Sequence, residues 1–202
     1  MGGGHQTDKD RFLAVFKINL VVFIAELFVG YYSGSLSMIS DGLHVALHLF
    51  VSLVALVSEY EFLGFRSDNI KFWSAGINIF LFFPLAFLIA YEASKRWVSP
   101  PMVNLGPTFF IVGFLGLAAN VYAALVLKPK RDEKHFRNKN RPILYVHMIF
   151  DAIGSVIVIA GGIEIKRTGL YSLDPQLSFV LAGLIILGAL WMSWELISGH
   201  DH

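Results

Sequence analysis

Six stretches of the chain are apolar over about 20 residues or more, the length a helix needs to cross the hydrocarbon core of a bilayer. They run over about 12–32, 36–60, 72–94, 105–127, 143–165 and 175–197. Lipid offers a backbone no hydrogen-bond partners, so a run of this kind satisfies its own peptide groups as a helix. Composition agrees: 15% of the residues are charged, where a soluble domain carries about 25%. The mean hydropathy is +0.62. The expectation is an all-α integral membrane protein, a bundle of six transmembrane helices forming a single domain over 1–202. The first apolar run is too long for a signal peptide and lacks a small-residue cleavage site, so it is expected to stay as the first helix.

Lysine and arginine set the orientation of such a bundle. With six spans, both termini share a side with the loops after the second and fourth spans. That side carries Lys9, Arg11, Arg66, Lys71, Lys128, Lys130, Arg131, Lys134, Arg137, Lys139 and Arg141. The opposite side carries Lys95, Arg96, Lys166 and Arg167. The bias places both termini in the cytoplasm. A net charge of +1 gives no case for nucleic acid. The chain has no cysteine, which excludes a disulfide framework and thiolate ligands.

Two turns inside these runs carry ionisable side chains, which are costly in lipid and point to function. One is Asp41-Gly42-Leu43-His44-Val45-Ala46-Leu47-His48 in the second span. The other is His147-Met148-Ile149-Phe150-Asp151 in the fifth. Side chains four apart on a helix are separated by about 400° of rotation and face the same way. His44 with His48, and His147 with Asp151, are two such pairs, and together they supply the four ligands of a tetrahedral metal ion. The plainer reading is helix–helix hydrogen bonding, as polar groups in membrane bundles often do. Three ionisable groups, Asp41, His44 and His48, on one face of one membrane helix favour the metal. An aspartate at the depth of Asp151 costs about 2.5–3.5 kcal/mol on insertion scales, and a shared cation would offset it. The residues therefore point to a transporter for a divalent metal.

The stretch Gly34-Ser35-Leu36-Ser37-Met38-Ile39-Ser40-Asp41-Gly42-Leu43-His44 resembles the second helix of the cation diffusion facilitator family. His147 to Asp151, followed by Ala152-Ile153-Gly154-Ser155, resembles that family's fifth helix. Asn19, Glu26, Tyr91-Glu92-Ala93, Pro100-Pro101, Gly116-Leu117, Asn120, Asp174-Pro175 and Ser178 add further matches, so the resemblance covers nearly the whole chain. It implies a six-helix bundle that exports divalent metal from the cytoplasm by alternating access, in exchange for protons. It also implies a tetrahedral site shared by the second and fifth helices, and a location in the cytoplasmic membrane of a bacterium. Homodimerisation through the membrane helices is open.

The sequence departs from the family pattern in two places. Zinc members usually have aspartate where this chain has His48, and the usual cytoplasmic C-terminal domain is not expected, since Gly-His-Asp-His follows Ser198. Three histidines and one carboxylate favour zinc over manganese or magnesium, and leave Cd²⁺, Co²⁺ and Fe²⁺ open. Such a zinc site would carry a charge near +1 and call for a nearby anion. Asp41 is the first candidate for that role or for proton relay, and Glu26 the second. A hydrogen bond near Asn19 is the alternative use of Glu26, and Asn78 and Asn120 read as helix-packing groups. Glu92, Lys95, Arg96 and Glu195 are expected at the interface, with Trp73, Trp97, Trp191 and Trp194 in an interfacial belt. Two other functions use the same residues: an intramembrane zinc hydrolase with water in the fourth position, and a non-transporting metal-sensing partner.

Overall fold

The computed structural model describes the backbone of residues 8–59, 67–128 and 140–198, and the side chains of 13–47, 49–50, 76, 79–126, 128, 145 and 148–194. Six helices account for these segments, and no strand is present among the described residues: α1 Asp8–Ser33, α2 Leu36–Glu59, α3 Ser67–Val98, α4 Pro107–Leu127, α5 Asn140–Thr168 and α6 Leu173–Ser198. The apolar runs of the sequence fall on these helices in order. The largest boundary difference is at the start of α3, which begins at Ser67 rather than near residue 72.

Among the described residues, four helices carry apolar windows long enough to cross a membrane: Leu13–Ser33, Pro107–Val126, Met148–Thr168 and Leu173–Trp194. At about 1.5 Å per residue, α2 and α3, of 24 and 32 residues, also exceed the ~30 Å of a bilayer core. Local chemistry sets several ends. Gly34 and Gly169 stop α1 and α5 with φ of 74° and 71°, a conformation that costs glycine nothing. Pro107 opens α4, where its missing N–H is no loss.

The helices pack most extensively as α1 on α2, α4 on α5, and α3 on α6. Helix α2 also touches α3, α5 and α6, so it runs through the middle of the bundle. Gly30 and Gly42 let α1 and α2 approach closely. A methyl at Gly30 would sit 2.9 Å from the Ile39 backbone nitrogen, and one at Gly42 3.2 Å from Glu26 Cβ. Small residues at crossings are how membrane helices gain contact where lipid is as apolar as the core. Phe82, Ala86 and Ile89 of α3 interdigitate with Ala182, Ile185 and Ala189 of α6. The outer faces are apolar too: Val21, Ile24 and Phe28 of α1, and Phe80, Phe87 and Leu88 of α3 are exposed, as are Ile111 and Phe114 of α4. In water that surface would be costly; in lipid it is ordinary.

A buried polar knot closes one end of the bundle. The Asp174 carboxylate, at the start of α6, accepts hydrogen bonds from the Leu36 and Ser37 amides at 2.6 and 3.2 Å. It also accepts from the Ser35 and Ser37 hydroxyls, each at 2.7 Å. A carboxylate from another helix thus caps α2, satisfying amides that have no partner within the helix. Beside it, the Asn104 amide donates to the Ser33 carbonyl at 2.8 Å. Arg96 donates to the Gly34 carbonyl at 2.8 Å and to Glu92 at 3.3 Å. Arg96 therefore does not simply reach for the interface, as its position near the end of α3 suggested. Lys95, with 55% of its side chain exposed, does. Trp97 and Trp194 are exposed near helix ends, while Trp191 is half-buried.

Candidate metal site

Helix periodicity places Asp41 and His44 on one side of α2, and packing turns that side inward. Asp41 is 6% exposed, His44 8% and Asp151 3%. The His44 and Asp151 side chains, 107 residues apart in sequence, meet across the α2–α5 interface with Nε2 and Oδ1 2.8 Å apart. One predicted ligand from each turn is thus brought into contact. The His48 and His147 side chains lie outside the described residues, although both residues fall within the helical spans of α2 and α5. Among the described residues no group of three or more histidine, aspartate or glutamate side chains is placed to hold a metal.

The His44–Asp151 distance is that of a hydrogen bond. A tetrahedral zinc ion with Zn–N and Zn–O near 2.0–2.2 Å would hold the two atoms about 3.4 Å apart. Metal entry between them would exchange the hydrogen bond for two coordinate bonds and open the pair from 2.8 Å by about 0.6 Å. A narrow cavity adjoins the pair, lined by Asp41, His44, Asp151, Gly154 and the α6 residues Leu181 and Ile185. Its open volume of ≈ 20 Å³ suits one water molecule, or one bare ion, and excludes an ion with its full hydration shell. The His44 ring also packs near Phe82 of α3, with centroids 5.5 Å apart. Helices α2, α3, α5 and α6 all border the site.

Asp41 is held by a second set of bonds. Ser155 of α5 donates to its Oδ2 at 3.1 Å, and Asn120 of α4 donates to the Ser155 hydroxyl at 3.2 Å. Asn120 does act as a link between helices, and that link ends on the carboxylate beside His44. Gly154 makes room for it: a methyl there would lie 3.3 Å from Asp41 Oδ1. Gly42, on the same helix as Asp41, faces Glu26 and Leu27 of α1. Glu26 is 1% exposed, and neither of its carboxyl oxygens has a hydrogen-bond partner among the described residues. The Asn19 side-chain oxygen also lacks one, so the Glu26–Asn19 hydrogen bond considered from sequence does not form. The Asn78 and Glu195 side chains, and all of His5, His135, His200 and His202, lie outside the described residues.

Three contributors were not visible as such in the sequence. Asp174, Ser155 and Arg96 each act on a segment at least 62 residues away. The available signal for Asp174 was an aspartate just before Pro175 at the head of an apolar run, which marks a helix start without saying whose amides it caps.

Comparison with known proteins follows the same lines. Zinc transporter ZitB of Yersinia pestis is 29% identical over 97% of this chain and 62% of its own length. The metal cation efflux system protein CzcD of Cupriavidus metallidurans is 31% identical over 95% of this chain and 63% of its own length. A protein of Bacillus velezensis named cadmium, cobalt and zinc/H(+)-K(+) antiporter is 29% identical over 92% of this chain and 62% of its own length. The chain thus spans less than two thirds of these relatives. The cation efflux transmembrane domain matches residues 12–199. With that match over nearly the whole length, and with apolar helices to carry it, this is an integral membrane protein and belongs to the cation efflux family.

Proposed function

We propose that this chain moves a divalent metal cation, zinc first, out of the cytoplasm. The observation that carries the reading is the buried contact between His44 of α2 and Asp151 of α5, 2.8 Å across a helix interface and beside a cavity of one-ion size. His48 and His147 complete the ligand set as one-turn neighbours in sequence. An imidazole-rich set with one carboxylate suits zinc, cadmium and cobalt better than manganese or magnesium. The relatives' names, which include zinc transport and cadmium, cobalt and zinc antiport, support the same substrate class.

The mechanism follows from what holds the pair. His44 and Asp151 hydrogen-bond to each other at 2.8 Å, which helps both polar side chains stay buried. Metal binding replaces that bond, and metal release restores it. The site borders the paired helices α3 and α6 as well as α2 and α5, so movement of one set against the other would alternate its access. All six helices span the bilayer in this reading, with both termini in the cytoplasm of a bacterial inner membrane, and protons move opposite to the metal. The match to a cation efflux domain favours transport over the hydrolase reading.

Zinc flux in proteoliposomes tests the proposal. Loaded vesicles of the natural sequence should accumulate or release zinc under an imposed pH gradient. Asp151→Ala should lower that flux more than tenfold with the helical circular-dichroism spectrum retained. Zinc flux at the natural rate in Asp151→Ala vesicles would refute the site.

A further inference from the structure

Glu26 is the one buried carboxylate among the described residues with no hydrogen bond to account for its burial. Its side chain lies where α1, α2 and α4 meet. A methyl at Gly42 of α2 would touch its Cβ at 3.2 Å, and a methyl at Gly116 of α4 would overlap its Oε1. Gly116 is therefore a seat for the carboxyl group, bare of side chain on the side where Oε1 rests. The seat supplies no hydrogen bond: both oxygens are buried and unpartnered among the described residues.

That arrangement is unlike a structural carboxylate. Buried polar groups are hydrogen-bonded almost without exception, and an ionised carboxylate in an apolar site without partners is prohibitively costly. Nor is Glu26 a ligand of the cavity beside His44, which it does not line. The ionisable groups around it come from two helices. Asp41 of α2 is hydrogen-bonded to Ser155 of α5, and His44 of α2 to Asp151 of α5. Helix α4 brings no acidic, basic or histidine side chain, only the exposed Tyr122. No donor among the described residues pairs with either Glu26 oxygen to keep it ionised. The chemistry that fits a buried, unpartnered carboxyl group is a bound proton.

We propose that Glu26 is a proton-binding site separate from the metal ligands, carrying a proton while His44 and Asp151 are bonded to each other and giving it up when metal charge arrives beside Asp41 and Asp151. The reaction is a simple one: the carboxylate takes a proton from hydronium, whose O–H bond breaks as the carboxyl O–H bond forms and water is left, and release to water runs the same step in reverse. A divalent ion held between α2 and α5 would place positive charge on the helix that Glu26 packs against, and a nearby cation favours an ionised carboxylate. Metal and proton then exclude each other across the width of α2 without sharing a ligand. This deepens the exchange reading given above and rests on it.

Two measurements on the full chain decide the matter. Infrared difference spectra of the protein in lipid membranes, with and without zinc, report the acid directly. The natural protein should show a carboxylic-acid carbonyl band at the high-frequency end expected for a group without hydrogen bonds. The band should disappear on zinc addition and be absent in Glu26→Gln. Its presence undiminished in Glu26→Gln, or its absence from the natural protein, overturns the proposal. Proteoliposomes with a trapped pH dye give the second readout. Glu26→Gln should bind zinc within about twofold of the natural affinity and move about one proton fewer per zinc ion, whereas Glu26→Asp should retain the natural ratio. An unchanged ratio in Glu26→Gln overturns the proposal, as does a tenfold loss of zinc binding, which would make Glu26 a ligand. If the natural protein moves no zinc at all, the exchange reading fails, and the infrared band alone then decides whether Glu26 holds a proton.

Discussion

Asp41 shows how much one side chain depends on a neighbour. Its Oδ2 takes a hydrogen bond from Ser155, which in turn accepts one from Asn120. Removing the hydroxyl leaves a buried carboxylate oxygen short of its donor, a loss of about 1–3 kcal/mol. Ser155→Ala should therefore lower the unfolding midpoint in detergent and weaken zinc binding. Ser155→Thr, which keeps the hydroxyl, should restore part of both, and equal binding by all three proteins would exclude the link. His48 makes a different residue-scale prediction, argued from the sequence. Replacing it by aspartate gives the two-histidine, two-aspartate set usual in the family. His48→Asp should keep zinc transport and raise manganese transport relative to zinc, because a carboxylate is the harder ligand. An unchanged manganese-to-zinc ratio in vesicles would show that His48 does not select the metal.

At the scale of elements, α2 is the helix on which the site depends, and its first turn is held by α6. Asp174 makes four short hydrogen bonds to residues 35–37 while fully buried. A cap of this kind stabilises a helix by about 0.5–2 kcal/mol, and here it also ties together two helices that border the cavity. Asp174→Ala should speed hydrogen exchange of the Leu36 and Ser37 amides while leaving the α4–α5 pair protected. If those amides exchange at the natural rate, the cap does not hold the turn. Arg96 works at the same end, joining α3 to the α1–α2 turn through the Gly34 carbonyl. Both helices of the α3–α6 pair are thus fastened to the start of α2. Any motion that alternates access to the site has to break or carry these bonds, which are local, polar and separate from the metal ligands.

For the whole molecule, the charge bias of the loops predicts both termini and residue 135 on the cytoplasmic face and residue 170 outside. The chain has no cysteine, so single introduced thiols report without background. Leu170→Cys, at an exposed position, should react with an impermeant maleimide added to intact cells, and His135→Cys should react only after permeabilisation. Labelling of position 135 from outside would overturn the topology. Much of this architecture was legible in the chain. Lipid leaves an apolar run no option but to bond its own backbone, so helix number and boundaries followed from hydropathy alone. The fixed turn of a helix then placed Asp41 with His44, and put Asp151 one turn beyond His147. Which helix each side chain would face was a different matter. His44 of one turn and Asp151 of the other meet in a hydrogen bond, Gly42 packs against α1, and Asp174 reaches across the fold to cap α2. Glu26 was left without the bond to Asn19 that the sequence allowed. Helical periodicity fixes a direction relative to the helix's own axis and carries no information about the neighbour on that side. That is decided only when six helices settle their rotations together, through close contacts such as Gly30 on Ile39 and Gly116 beneath Glu26, because membrane helices associate by packing and hydrogen bonding rather than by escape from water.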